Sequence, residues 1–212
     1  MADVSALVTT RLASLCLARG RPRRLTYDDR MIRAALVVDL AVGGALAEDE
    51  TSVALDRERA EALGLGRVAG HLAADGGSLS AWIGRGPCTF EEWEQRLVES
   101  GVWVPRRSLL RPLLRYDDVH RERTGSDRRL GRRPHRGGHS TATLGVLALG
   151  RVSALFGRPD PRTGGDGWTG APGEPPPWVL ADMGEAAWAG RLAVDELLRV
   201  GTHMRIVGDA VD

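Results

Sequence analysis

The sequence contains no lysine, and all 29 of its basic residues are arginine. This composition is typical of a GC-rich genome, so we draw no conclusion about binding chemistry from it alone. Cysteine is scarce as well, because only Cys16 and Cys88 are present. Two isolated cysteines do not make a disulfide framework, and we therefore expect free thiols in a reducing compartment.

Long apolar runs are also missing. No stretch reaches the roughly 18 consecutive apolar residues that a membrane-spanning helix needs. The first 20 residues lack the basic start and apolar block of a signal peptide. We therefore predict a cytoplasmic protein with no transmembrane segment. Such a protein is still able to attach peripherally to the inner face of a membrane.

The motifs of several common enzyme classes are absent. The sequence has no Walker-type loop, no dinucleotide fingerprint and no G-x-S-x-G turn. His135 and His139 have the spacing of metal ligands on a helix, but two glycines between them interrupt a helix there. The adjacent carboxylates of Asp28 and Asp29 suit the first turn of a helix. We predict no enzymatic activity, no bound metal and no cofactor.

Positive charge is concentrated in two segments, although the net charge is only +1. Residues 19–33 hold six arginines and two aspartates, and residues 106–136 hold eleven arginines and four acidic residues. The remaining chain is therefore strongly acidic. This asymmetry points to an anionic partner such as lipid headgroups or nucleic acid. The alternative is two solvated arginine-rich surfaces balanced by the acidic remainder.

The apolar run at residues 33–46 predicts a buried core helix, since a helix that is apolar all round is buried. Its one carboxylate, Asp39, lies about 120° around the helix from Arg33, so we expect no pairing between them. Arg30 and Arg33 share a face and can reach the same patch of surface. Gly43 or Gly44 is placed to end the helix before a short hairpin.

The same pattern of helix, glycine and extended segment recurs at residues 97–103, and residues 197–201 share the glycine. An amphipathic helix is predicted near the start of the chain, a broken helix at 57–74, a capping box at Thr89, and further helices after Thr141 and Trp178. We predict a mainly α fold: a single globular helical domain over 1–212, with short β-hairpins following helices. A basic segment at 120–138 should be flexible, and residues 157–177 should form a Pro/Gly loop that carries Trp168.

The order of these elements resembles the Golgi phosphoprotein 3 family, in the form of its bacterial (actinobacterial-type) members. The resemblance covers roughly residues 5–200. Its landmarks are ALVVDLAVGGAL within residues 35–46, Ala81-Trp82-Ile83, Leu97-Val-Glu-Ser-Gly-Val, the Arg115-Tyr116 region and the buried helix after Thr141. The resemblance implies a mainly helical, non-enzymatic protein that binds phosphatidylinositol 4-phosphate-like headgroups and acts as an adaptor.

The family pocket combines a tryptophan and an arginine near the first core helix with two later arginines. Arg33 stands at the position of the first arginine, with Arg30 beside it, and Tyr27 is the counterpart of the tryptophan if a short gap is allowed. His139 and its neighbours replace the two later arginines, for which Arg136 or Arg133 is the candidate substitute if the loop folds back. The membrane-inserting hairpin of the family falls in the region of the loop that carries Trp168, our candidate membrane contact.

We therefore expect a non-enzymatic peripheral membrane protein or adaptor that binds anionic lipid headgroups. One alternative is a winged-helix-like nucleic-acid-binding protein, because a helix followed by a hairpin also describes that module. The apolar helix before the first hairpin argues against it, since a recognition helix needs polar side chains. The second alternative is a protein-binding adaptor without a lipid ligand.

Overall fold

The computed structural model describes residues 3–18, 20–22, 28–48, 52–108, 111–156 and 173–208. Within these ranges the fold is mainly α, as predicted, with three antiparallel two-stranded hairpins. The helices are α1 Val8–Leu15, α2 Asp28–Val42, α3 Arg57–Ala62, α4 Gly66–Asp75, α5 Leu79–Arg85, α6 Phe90–Glu99, α7 Arg121–Arg132, α8 Thr141–Val152, α9 Pro177–Ala181 and α10 Ala187–Gly208. The hairpins pair β1 Leu17–Ala18 with β2 Arg21–Pro22, β3 Leu46–Glu48 with β4 Val53–Leu55, and β5 Trp103–Ser108 with β6 Arg111–Asp118.

Helix α2 lies at the centre of the domain and packs against α1, α5, α8 and α10. Its residues from 31 to 40 are all buried, which confirms the predicted core helix. Gly44 ends it in the left-handed conformation at φ +68°, a geometry that glycine adopts without a Cβ penalty. The chain then enters the predicted β3–β4 hairpin, in which Leu46 pairs with Leu55.

The predicted second unit is also confirmed. Thr89 and Glu92 form the capping box at the start of α6, and Gly101 turns the chain at φ +74° into β5. The glycine shared by residues 197–201 does not end a helix, because α10 continues through Gly201 to Gly208. The predicted helix after Trp178 is divided into α9, a 3₁₀ turn at Gly184–Ala186 and α10.

Within the basic segment 120–138, α7 occupies Arg121–Arg132. A buried ion pair fixes this helix to α1: the Arg11 guanidinium donates to both carboxylate oxygens of Asp127, through Nε at 2.9 Å and Nη2 at 2.5 Å. Breaking such a pair would leave an uncompensated buried charge. The partner of Asp127 lies 116 residues away, so local sequence patterns do not reveal this contact.

Asp39 joins α1 to α2. One carboxylate oxygen accepts the N–H of Val8 at 2.6 Å, and the other accepts the N–H and hydroxyl of Thr9 at 3.0 and 2.5 Å. Leu7, the N-cap residue of α1, has no side chain that can cap the helix. The buried carboxylate of Asp39 therefore supplies the missing cap from another helix. As expected, Asp39 does not pair with Arg33.

Burial raises the pKa of Asp39 to about 6, while the hydrogen bonds from Thr9 and Val8 oppose the increase. A folded pKa above the unfolded value of 3.8 means that the folded state binds the proton more tightly. The stabilising effect of protonation is complete below pH 3.8 and is lost as the pH rises through 6. Relative to Asp39→Asn, which has no titrating group there, the free energy of unfolding of the wild type should rise by about 2–3 kcal/mol between pH 7 and pH 4. Urea unfolding at several pH values measures this difference, and a flat or falling difference would contradict the prediction.

The side chain of Phe156 packs between helices α7 and α8. The ring of Phe156 occupies the space that a side chain would need at both Gly131 in α7 and Gly150 in α8. The two glycines therefore permit a close approach of Phe156 to both helices. Gly125, one and a half turns before Gly131, has only the tip of Arg129 nearby, at 3.7 Å.

We expect Gly131→Ala and Gly125→Ala to change stability in opposite directions. A methyl group at Gly131 would collide with the Phe156 ring and should cost about 1–3 kcal/mol. The same substitution at Gly125 meets only the tip of Arg129, at an ordinary van der Waals distance of 3.7 Å, and should add up to about 1 kcal/mol through the higher helix propensity of alanine. Thermal or urea unfolding of both variants tests the difference, and equal effects would contradict the packing described.

Candidate functional site

Arg33, the first predicted headgroup ligand, is buried beneath the connection between α5 and α6. Its guanidinium donates to four backbone carbonyls: Nε to Ile83 at 2.7 Å, Nη1 to Gly86 and Cys88 at 3.0 Å each, and Nη2 to Gly84 at 3.1 Å. These carbonyls lie at and after the carboxyl end of α5, where a cation is favoured. The Arg33 side chain therefore holds the α5–α6 connection in place.

Two neighbours of Arg33 act on the same connection. Arg30 Nη2 lies 3.5 Å from the Gly84 carbonyl, so the prediction that both arginines reach one patch is confirmed. Asp29 accepts the N–H of Phe90, the first residue of α6, at 2.8 Å. Burial lowers the pKa of Arg33, and the Asp29 carboxylate opposes that change. The face of α2 that carries these three charges is thus engaged with backbone groups of α5 and α6.

The other predicted ligands lie elsewhere or outside the described residues. Arg136 forms two hydrogen bonds with the carboxylate of Asp182, Nε at 3.2 Å and Nη2 at 3.0 Å. Tyr27 and Trp168 fall outside the described residues, as do residues 157–172 of the predicted loop. The structure joins Arg30 and Arg33 at one carbonyl, and it gives Arg136 a separate acidic partner.

Replacing Arg33 with lysine should destabilise the fold although the charge is kept. A single ammonium cannot reach four carbonyls that the planar guanidinium spans, so buried carbonyls lose their donors. We expect Arg33→Lys to lower the free energy of unfolding by about 2–4 kcal/mol. Arg30→Lys is the matched control, with one 3.5 Å contact at stake and an expected change below about 0.5 kcal/mol. Urea unfolding of both variants makes the comparison, and equal losses would contradict the role given to Arg33.

A basic cleft of about 560 Å³ opens between the β1–β2 hairpin, β6 and α7. Four arginines and two aspartates line it, together with hydroxyl and backbone groups. The charged lining residues are Arg106, Arg115, Arg121, Arg128, Asp117 and Asp118. The cleft therefore carries an excess of positive charge on a concave surface, which focuses the electrostatic field.

The arginines of α7 hold the helix against neutral backbone groups. Arg123 donates to the Ser5 carbonyl at 2.9 Å, Arg128 to the Leu15 carbonyl at 3.2 Å and Arg132 to the Phe156 carbonyl at 3.0 Å. A carbonyl accepts a hydrogen bond without cancelling the charge of the donor. Helix α7 therefore keeps a net positive charge although three of its arginines are bonded to the protein. The excess of arginine at 106–136 indicated this segment, but not which groups the arginines contact.

A second groove, of about 760 Å³, lies between the β3–β4 hairpin, α4, α5 and α10. Its lining is largely apolar and includes Trp82 and the half-buried Trp188. Trp82, Trp93 and Trp103 are buried in the core. Glu48 and Asp75 add negative charge to this groove, so it suits an anion less well than the cleft beside α7.

The structure also bears on metal sites, membrane-spanning helices and the two cysteines. Among the residues that the structure describes, no group of three or more histidine, cysteine, aspartate or glutamate side chains could hold a metal ion. In the same ranges, no helix is both long and apolar enough to cross a membrane. Cys16 and Cys88 are free, as predicted.

The fold and its surface thus define a mainly α domain with a basic cleft beside an arginine-rich helix. No family model, curated protein or solved structure matches this chain. Membership of the Golgi phosphoprotein 3 family accordingly stays a proposal based on the order of the sequence landmarks.

Proposed function

We propose that this protein is a non-enzymatic peripheral membrane protein that binds anionic lipid surfaces through the basic face. The basic face comprises α7, the following residues 133–136 and the described part of the β5–β6 hairpin. The observation that carries the proposal is that three arginines of α7 bond to neutral backbone carbonyls, so that the helix keeps a net positive charge. The resemblance to the Golgi phosphoprotein 3 family agrees with this function.

The charge of the basic face is sufficient for reversible attachment. Arg121, Arg129, Arg132 and Arg133 are exposed and lie within about 120° of one another around the helix axis. A basic residue close to an anionic membrane contributes about 1 kcal/mol, so four such residues contribute roughly 4 kcal/mol. This energy corresponds to a dissociation constant of about 1 mM. Attachment would be reversible and would weaken as salt screens the charges.

Phe156, the last described residue before the segment that contains Trp168, lies beside the basic face. Arg132 in α7 donates to the carbonyl of Phe156, the last described residue before it. Tryptophan favours the interface between water and the lipid headgroups. The proposal therefore retains Trp168 as a membrane contact. Arg33 and Arg30 are assigned instead to supporting the fold, because carbonyls occupy the Arg33 guanidinium.

Nucleic-acid binding is the less favoured function. In a winged-helix protein the recognition helix precedes the hairpin and enters the major groove of DNA, and here α2 and α6 are the helices in that position. Helix α2 is buried, and α6 carries four glutamates and one arginine. Four carboxylates would be repelled by phosphates, so neither helix suits that role. A protein-binding role without lipid has no specific contact in its favour.

Co-sedimentation with vesicles tests the proposal. At low salt the protein should sediment with vesicles of phosphatidylcholine and phosphatidylglycerol and stay in solution with phosphatidylcholine alone, because only the former surface is anionic. Raising the salt from about 50 to 300 mM should release it. Equal, negligible binding to both vesicles at low salt would overturn the proposal. A gel shift with duplex DNA at the same salt, without vesicle binding, would favour the nucleic-acid alternative.

A pair of variants locates the surface. Arg129→Gln with Arg133→Gln removes two exposed charges of the basic face, neither of which bonds to a carbonyl of the core in the described structure. Affinity for the anionic vesicles should fall about 30-fold, at about 1 kcal/mol for each charge. The control removes two exposed charges from other helices, with Arg57→Gln and Arg85→Gln. Equal losses in both variants would show that net charge, and not this face, determines binding.

A further inference from the structure

The basic cleft contains two guanidinium groups that the surrounding protein does not use. Within the described residues, the side chains of Arg115 and Arg121 make no hydrogen bond or ion pair, although the backbone of each belongs to β6 or α7. Asp117 bonds to Arg106. Asp118 accepts the N–H of His120 at 2.9 Å and the hydroxyl of Thr124 at 2.5 Å. Both carboxylates in the cleft are therefore already engaged.

The amino end of α7 also lines the cleft. The side chain of His120, the N-cap residue, makes no capping hydrogen bond. The helix dipole favours an anion at this end, and the Asp118 carboxylate, which bonds to the His120 N–H and the Thr124 hydroxyl, already supplies one there. By contrast, Asp56, Ser78, Thr89 and Ser140 cap α3, α5, α6 and α8 with their own side chains.

These groups approach the cleft from different sides. Arg115 comes from β6, Arg121 from the first turn of α7, and Arg128 from two turns further along the same helix. Arg128 already donates one bond to the Leu15 carbonyl, which holds its guanidinium at the wall of the cleft. Guanidinium groups on opposite walls match an anion with several free oxygens, because each can donate two parallel hydrogen bonds.

We propose that the cleft binds the phosphate monoester group of a phosphorylated ligand, with Arg115 and Arg121 as the principal ligands. A monoester has a charge of about −1.5 to −2 at neutral pH and three free oxygens. Four arginines and two aspartates give the cleft a net charge of +2, which matches it. A phosphodiester has one charge and two free oxygens, so it would leave part of this donor set unused. The volume of 560 Å³ exceeds that of a bare phosphate and admits the group that carries it.

A lipid headgroup and a soluble metabolite share this chemistry. For the lipid source, the inference rests on the proposed function, because the membrane would then present the phosphate. For the soluble source, it stands independently of membrane attachment. The experiments below separate the two sources.

Isothermal titration with glycerol 3-phosphate and with dimethyl phosphate tests the chemistry of the cleft. The monoester should bind at least about tenfold more tightly than the diester, because it makes more charge-assisted hydrogen bonds. Arg115→Gln with Arg121→Gln should remove this difference, whereas Arg57→Gln with Arg85→Gln should keep it. The Arg115→Gln, Arg121→Gln protein is the cleft variant. Because the described structure shows no hydrogen bond from either arginine side chain, the cleft variant should unfold at the same urea concentration as the wild type. Equal binding of both compounds, or equal behaviour of both variants, would overturn the inference.

Vesicles of matched surface potential then identify the source. If a lipid supplies the phosphate, wild-type protein should prefer phosphatidic acid, a monoester, over phosphatidylglycerol, a diester. The cleft variant should lose this preference, and its binding to phosphatidylglycerol should weaken about as much as that of the Arg129→Gln, Arg133→Gln variant, because Arg115 and Arg121 also belong to the basic face. The Arg129→Gln, Arg133→Gln variant should bind both vesicles more weakly and keep the preference. Binding of glycerol 3-phosphate without sedimentation on either vesicle would support the cleft, assign it a soluble ligand and overturn the membrane proposal. If the wild-type protein shows no monoester preference in titration but sediments with phosphatidylglycerol, the phosphate site in the cleft is overturned and the membrane proposal is supported.

Discussion

The fold depends on charged side chains of one buried helix that satisfy the ends of three others. Asp39 of α2 accepts the first N–H groups of α1, Asp29 accepts the first N–H of α6, and Arg33 donates to carbonyls at the end of α5. In each case the sign of the charge matches the helix end that it meets. The apolar surface of α2 forms the core, and its few charges determine how the neighbouring helices begin and end.

This arrangement changes which arginines are available to a ligand. At the sequence level Arg33 looks like an isolated cation at the exposed entry to a core helix. In the fold it is buried, and most of its donors already have acceptors. Available positive charge lies instead on α7, where Arg128 and Arg132 bond to neutral carbonyls and Arg121, Arg129 and Arg132 are exposed to solvent. The two basic segments of the sequence therefore differ in role: residues around Arg33 organise the interior, and α7 presents charge.

Local signals were sufficient for much of the fold. Apolar composition identified α2, the glycines at 44 and 101 marked the turns into hairpins, and Thr89 with Glu92 identified the start of α6. The sequence failed where a distant partner decides the outcome. Helix α7 has little apolar surface, and it is held by Arg11 and by backbone carbonyls far away in the sequence. The position of the cleft depends on the same long-range contacts, so net charge pointed to the segment but not to Arg115 and Arg121.

The use of carbonyls as acceptors has a consequence for how α7 responds to its surroundings. Bonds between a cation and a dipole fall off steeply with distance and are little affected by dissolved ions, and the pair between Arg11 and Asp127 is shielded from them by burial. Interactions of exposed charges with a distant surface are, by contrast, strongly screened. Changes of ionic strength should therefore act on what the helix attracts while leaving the docking of the helix itself unchanged. The packing of α7 against the domain is therefore insensitive to salt, whereas the attraction between its exposed arginines and an anionic partner depends on salt.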